Sequence, residues 1–117
     1  MFSEAEIEDA LVRCWSADTA STWTHTNPAA GQCSVTALAL RDAFGGRLLK
    51  TRIRGGWHFY NEICGVIYDF TASQFPSPVA YDHEPASTEE ALADTSPEQL
   101  RTLAEGLARE LPSSRQT

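Results

Sequence analysis

Between Cys33 and Phe44 the chain reads CSVTALALRDAF, apolar around most of its circumference, and it halts at Gly45-Gly46, a usual helix stop. A helix this apolar has little face to give to water, so the rest of the fold must enclose it. That requirement makes a helix beginning at Cys33 the centre of the molecule. Three β-like runs follow it, RLLKTRI at 47–53, HFYNEI at 58–63 and VIYDFT at 66–71, broken by Gly55-Gly56 and Cys64-Gly65. They predict an antiparallel meander. Upstream, Ser3 and Glu6 form a capping box ahead of Ile7, Leu11, Cys14 and Trp15, which share one helical face. Ser96-Pro97-Glu98-Gln99 opens a last helix that presents Leu100, Leu103 and Leu107. Segment 16–32 has no period and reads as irregular; segment 76–95 reads as a surface connection with one short helical turn. The expectation is one α+β domain over 1–111, a central helix on a small antiparallel sheet of three or slightly more strands flanked by N- and C-terminal helices, with 112–117 a frayed tail.

Charge and cysteine usage narrow the function classes. Nine Lys and Arg against sixteen Asp and Glu give a net charge of -7, which repels phosphate backbones and anionic membranes, so neither nucleic acid nor membrane is an expected partner. No apolar run reaches the ~20 residues that span a bilayer, and MFSEAEIEDA lacks the features of a signal peptide, so a cytoplasmic location is expected. Cys14, Cys33 and Cys64 are an odd set without CxxC spacing, which argues against a disulfide framework and a zinc ribbon. There is no phosphate-binding glycine loop, and no cofactor is expected. Arg41, Arg47, Lys50, Arg52 and Arg54 cluster; they read as a solvated sheet edge guarded by cations, with an anionic ligand as the alternative.

The remaining signal is the placement of three residue types. Cys33 stands at a helix N-terminus, where backbone amides and the helix dipole lower a thiol pKa. His58 lies near the start of the second strand run, and Asp69 lies on the third. If Cys64-Gly65 is a two-residue turn, Ile63 faces Val66, Tyr60 faces Asp69 and His58 faces Thr71, which puts His58 and Asp69 on one face as diagonal neighbours. An imidazole there can pair with a thiolate and deliver a proton to a leaving group, while the carboxylate holds the ring. Asn61 falls on the other face and ranks below Asp69 as the orienting residue. Oxyanion donors are the Cys33 amide and the side chain of Gln32 or Asn27, between which the sequence does not choose. Trp57, Tyr60 and Asn61 are candidates to line the substrate. Each residue also has a plain structural reading, Cys33 as core filler and His58 as a satisfied buried imidazole; the three gain weight as a set.

The stretches NPAAGQCSVTALALRDAFGG and WHFYNEICGVIYDFTASQF contain N-P-x-x-G-Q-C, H-x-Y-N and D-x-T-x-x-Q-F. They resemble the YunG-like family of small bacterial proteins and, in outline, the papain and transglutaminase superfamily of cysteine hydrolases. The wider resemblance implies a papain/transglutaminase-like core and a Cys-His-Asp (or Asn) order, carried here by Cys33, His58 and Asp69. The chain is too short to hold the second lobe of a papain-like protease, which argues against general proteolysis. The leading expectation is cysteine-dependent acyl transfer, as an amidase, deamidase, peptidase or transamidase, on a small-molecule or an exposed peptide or protein amide. The rivals are a non-catalytic binding or regulatory module on the same scaffold, and a metal site using Cys33, His58 and Asp69.

Overall fold

The computed structural model describes residues 2–111; the tail at 112–117, expected to fray, lies outside the described residues. The elements run α1 (Glu4–Cys14), α2 (Cys33–Phe44), β1 (Arg47–Ile53), β2 (Gly56–Ile63), β3 (Val66–Tyr68), a 3₁₀ turn (Ala72–Gln74), β4 (Glu84–Pro85), α3 (Thr88–Leu92) and α4 (Pro97–Glu110). The four strands form an antiparallel sheet in the order β3-β2-β1-β4, and the fold is α+β.

Helix α2 is enclosed as its composition demands. Residues 34–40 are all buried. One side of the helix, with Val35, Ala39 and Leu40, packs against Leu11 of α1 and Leu103 and Leu107 of α4. The other side, with Ala37 and Leu38, meets Leu48 of β1 and Phe59 of β2. Burying each of Leu38 and Leu40 contributes on the order of 1.5–3 kcal/mol. The Trp15 indole N–H, just past α1, donates to the Thr36 hydroxyl at 2.9 Å and satisfies two buried polar groups at once.

The β2–β3 hairpin has the expected register at its tip, with Ile63 opposite Val66 and Asn61 opposite Tyr68. Cys64 and Gly65 form its two-residue turn with φ of 52° and 79°, both left-handed, as the twist of a tight hairpin requires. The ladder then stops short of the expected span. The Asp69 side chain accepts the Thr71 backbone N–H at 3.2 Å and the Thr71 hydroxyl at 3.3 Å, a local turn that competes with strand pairing. Residues 69–71 therefore leave the sheet, and the expected facings of Tyr60 with Asp69 and His58 with Thr71 do not form as ladder pairs.

Two further expectations change. The cationic run on β1 does not guard an edge, because β1 lies inside the sheet between β2 and β4. Its charges are matched across the surface instead: Arg47 reaches Glu62, its cross-strand partner, at 2.5 Å, Lys50 pairs with Glu90, and Lys50 and Arg52 both lie over the Trp57 ring. Segment 76–95 is also more than a surface connection. α3 is the expected short helical turn, but the segment also adds β4 to the sheet, and the Thr51 hydroxyl holds it to β1 through the Ala80 carbonyl at 2.9 Å.

Gly31, which leads into α2, has φ of +74°, and a Cβ built there would lie 1.9 Å from the Thr22 hydroxyl. Gly31→Ala combines left-handed strain with a steric clash and is expected to lower the unfolding free energy by about 2 kcal/mol or more. Urea unfolding followed by circular dichroism checks this.

Candidate active site

The end of β3 at Tyr68 creates the opening in which the site is built. In the β2–β3 hairpin the pairs at 63–66 and 61–68 alternate with a wide pair between them, so the backbone groups of Phe59 point to the β3 side. With β3 finished, no strand takes them. The Cys33 thiol occupies that position, drawn to the Phe59 backbone and to the His58 ring. Trp57, Phe59 and Asn61 of β2 alternate toward α2, while His58 and Tyr60 turn to the opposite face, which residues 75–83 cover. Phe75 meets the His58 ring edge-on at 4.9 Å between centroids, and Tyr81 and His83 flank Tyr60.

His58 Nε2 lies 2.7 Å from Asp69 Oδ2, with the two side chains 0% and 6% exposed. The same Asp69 oxygen accepts a hydrogen bond from the Tyr81 hydroxyl at 2.6 Å. Asp69 Oδ1 takes the Thr71 contacts that end the strand, so the turn that stops β3 is also the one that aims the carboxylate at His58. The second ring nitrogen, Nδ1, is buried with no hydrogen-bond partner among the described residues.

The electrostatics follow from these contacts. Burial alone pushes the Cys33 thiol up, but hydrogen bonding to His58 and to the Phe59 backbone, with the imidazolium charge, outweighs it and holds the thiol below its ordinary value. Burial pulls His58 down, yet hydrogen bonds to Asp69 and Cys33 and both negative charges raise it to about 9. Asp69 is pushed up by burial and brought below the usual carboxylate range mainly by His58. Tyr81 is raised by burial and by the adjacent Asp69 charge. Both shifts favour the thiolate–imidazolium form of the pair relative to the two groups apart. Its imidazolium contribution to stability is full below the ordinary His value of 6.5 and is lost as pH rises through about 9. The thiolate contribution is present above the ordinary thiol value and fades as pH falls through the lowered one.

The other candidates are placed as follows. Gln32 is fully buried at the N-cap of α2, where no side chain caps the first amides. Its Oε1 accepts from the Thr19 hydroxyl at 2.9 Å, and its Nε2 has no partner among the described residues. Asn27 is committed elsewhere, with Nδ2 donating to the Gln74 carbonyl at 3.3 Å. Asn61 is buried and donates to the Ala37 carbonyl at 2.9 Å, which makes it a tie between β2 and α2. Among the described residues no three His, Cys, Asp or Glu side chains converge to hold a metal ion.

Cys33 opens into a cleft of about 320 Å³ lined by residues 19–22, Gly31, Ser34, Asp94 and Gln99. This departs from the expected lining. Tyr60 and Asn61 are buried with their polar atoms spent on His83 and Ala37, and Trp57 packs beneath Lys50 and Arg52; none of the three lines the cleft. Aromatic residues on a strand flanked by apolar helices fill the core before they serve a ligand. The sequence reading missed Tyr81, Thr19, Asp94 and Gln99, which sit in aperiodic or junction segments and carry no local signal. Thr71 carried a signal that the strand reading of 66–71 passed over, since D-x-T can form an Asp-initiated turn.

The YunG protein family model matches residues 3–112, a span that runs from α1 through α4. The chain belongs to the YunG family. A relative from Bacillus subtilis (strain 168), named uncharacterized protein YunG, is 50% identical over 103 residues, covering 88% of this chain and 90% of its own. No solved structure matches. The family unit is therefore the whole domain, with Cys33, His58 and Asp69 all inside the matched span.

Two substitutions test the geometry. In His58→Ala, burial remains while the hydrogen bond and charge of the ring are lost, so the Cys33 pKa should rise, read by the pH dependence of iodoacetamide alkylation with each cysteine located by mass spectrometry. Tyr81→Phe removes a donor from Asp69, concentrates the carboxylate charge on His58 and should shift the upper pH limit of the ion pair upward, read by titrating the His58 ring by NMR.

Proposed function

We propose that the protein catalyses acyl transfer through a Cys33 thioester, with His58 as the acid and base and Asp69 as the residue that orients it. The observation that carries this reading is the buried His58–Asp69 contact at 2.7 Å next to Cys33 at the start of α2, with the thiol lowered and the imidazole raised. A core thiol beside a merely satisfied histidine would be raised by burial, as Cys14 is. The order and roles are those of the papain/transglutaminase-like cysteine hydrolases, and we assign the core to that type on this basis.

The reaction proceeds in balanced steps. The Cys33 thiolate attacks the amide carbonyl carbon, and the oxygen takes up the displaced electron pair. The Cys33 backbone amide and Gln32 Nε2 serve that oxyanion; a buried amide donor left without a partner costs about 1–3 kcal/mol, which a substrate oxygen recovers. The His58 imidazolium gives its proton to the leaving nitrogen as the C–N bond breaks. Neutral His58 then takes a proton from water or an acceptor amine, which attacks the thioester and releases the thiolate.

Acid-quenched incubations with small amides and esters are expected to show a covalent acyl adduct on Cys33 by intact mass, absent in Cys33→Ala. Gln32→Ala should lower kcat by about 10²–10³-fold, the usual effect of losing one oxyanion donor. Absence of any adduct, together with an ordinary Cys33 pKa, overturns the reading.

A further inference from the structure

The cleft at Cys33 has a chemical character that the catalytic residues do not explain. At about 320 Å³ it lies at the lower end of the roughly 300–1,000 Å³ usual for small-molecule sites. One wall is the segment 19–22 with Gly31, and the other is the α3–α4 junction, contributing Asp94 and Gln99. The lining side chains are short, and none is aromatic or a branched aliphatic that would hold a large apolar group. Asp94 is the one Asp, Glu, Lys or Arg among them. Among the described residues no Lys, Arg or His nitrogen lies within 4 Å of the Asp94 carboxylate. An exposed carboxylate on the wall of a small cleft, on a chain of net charge -7, disfavours anions and attracts cations.

We propose that this cleft admits a small cationic compound, recognised by Asp94, and that the acyl-transfer substrate is accordingly a small amide bearing an ammonium or guanidinium group. The second clause rests on the function proposed above; the first does not. Thr19 and Gly31 connect the two, because Thr19 both lines the cleft and holds Gln32, and Gly31 lines it one residue before Gln32. A charged substituent in the cleft would thus lie beside the atoms that receive the carbonyl.

The thiol itself reports on the cleft without any substrate being known. The full chain, wild type and Asp94→Asn and Asp94→Lys, is treated at low ionic strength with three methanethiosulfonates: cationic trimethylammonioethyl, anionic sulfonatoethyl and neutral methyl. Rates at Cys33 are divided by those at exposed Cys64, which cancels the effect of overall charge and of reagent chemistry. A carboxylate about 6 Å away in water changes a rate by roughly threefold in each direction, so the cation-to-anion ratio at Cys33 should exceed that at Cys64 by about tenfold. It should collapse in Asp94→Asn, invert in Asp94→Lys and shrink in salt. An unchanged ratio in Asp94→Asn, or a Cys33 that none of the reagents reaches, overturns the cleft assignment. A pair of amides ending in an ammonium or a methyl group adds the catalytic arm. Turnover of both at equal kcat/KM overturns the substrate class while leaving acyl transfer intact. Charge selectivity with no turnover and an ordinary Cys33 pKa upholds cation binding and rejects acyl transfer.

Discussion

The burial of α2 is the constraint on which the other elements depend. A helix whose residues 34–40 are all removed from water needs cover on opposite sides, and α1 with α4 supplies one cover while the sheet supplies the other. Its N-terminus cannot be buried in the same way, because the first backbone amides of a helix need partners outside it. The chain leaves that end without a side-chain cap and places it at a cleft. Cys33 therefore sits where the buried run of the central helix meets the cleft.

A second economy lies in Asp69. One of its oxygens makes the turn that ends β3, and the other receives His58 and Tyr81. Ending the strand frees the Phe59 backbone for the thiol, so a single carboxylate both opens the sheet edge and orients the imidazole. Continuing β3 by two residues would close the site with ordinary ladder hydrogen bonds. The region is thus a trade between sheet pairing and a polar chain, and the polar chain wins because Asp69, buried beside a histidine, keeps its charge only when every lone pair has a donor.

Segment 75–83 covers the far face of β2. Phe75, Tyr81 and His83 pack over His58 and Tyr60, excluding water from the imidazole–carboxylate contact. Burial by itself lowers His58, and the hydrogen bonds and charges of Asp69 and Cys33 overcome that penalty to raise it. Tyr81 belongs electrostatically to the site although it is distant from the thiol.

Much of this was legible from residue order alone. The apolar run with its double-glycine stop determined a central helix beginning at Cys33, the Cys64-Gly65 turn determined the hairpin register, and alternation then separated His58 from Asn61. These are local rules of period and turn chemistry, and they operate within a few residues. Membership of the YunG family was likewise carried by short motifs around Cys33, His58 and Asp69, and the family match extends over the whole domain. What the tertiary structure alone decided is where polar atoms find partners. Gln32 and Asn27 are indistinguishable as amides in sequence, yet one is left with a buried free N–H and the other is spent on Gln74. Likewise Trp57, Tyr60 and Asn61 offer attractive side chains, but packing against α2 and residues 75–83 takes them away from the cleft. Its walls come instead from aperiodic segments that only long-range folding brings to Cys33. Hydrogen-bond satisfaction and cleft lining depend on contacts between residues tens of positions apart, and such contacts leave no periodic trace in the chain.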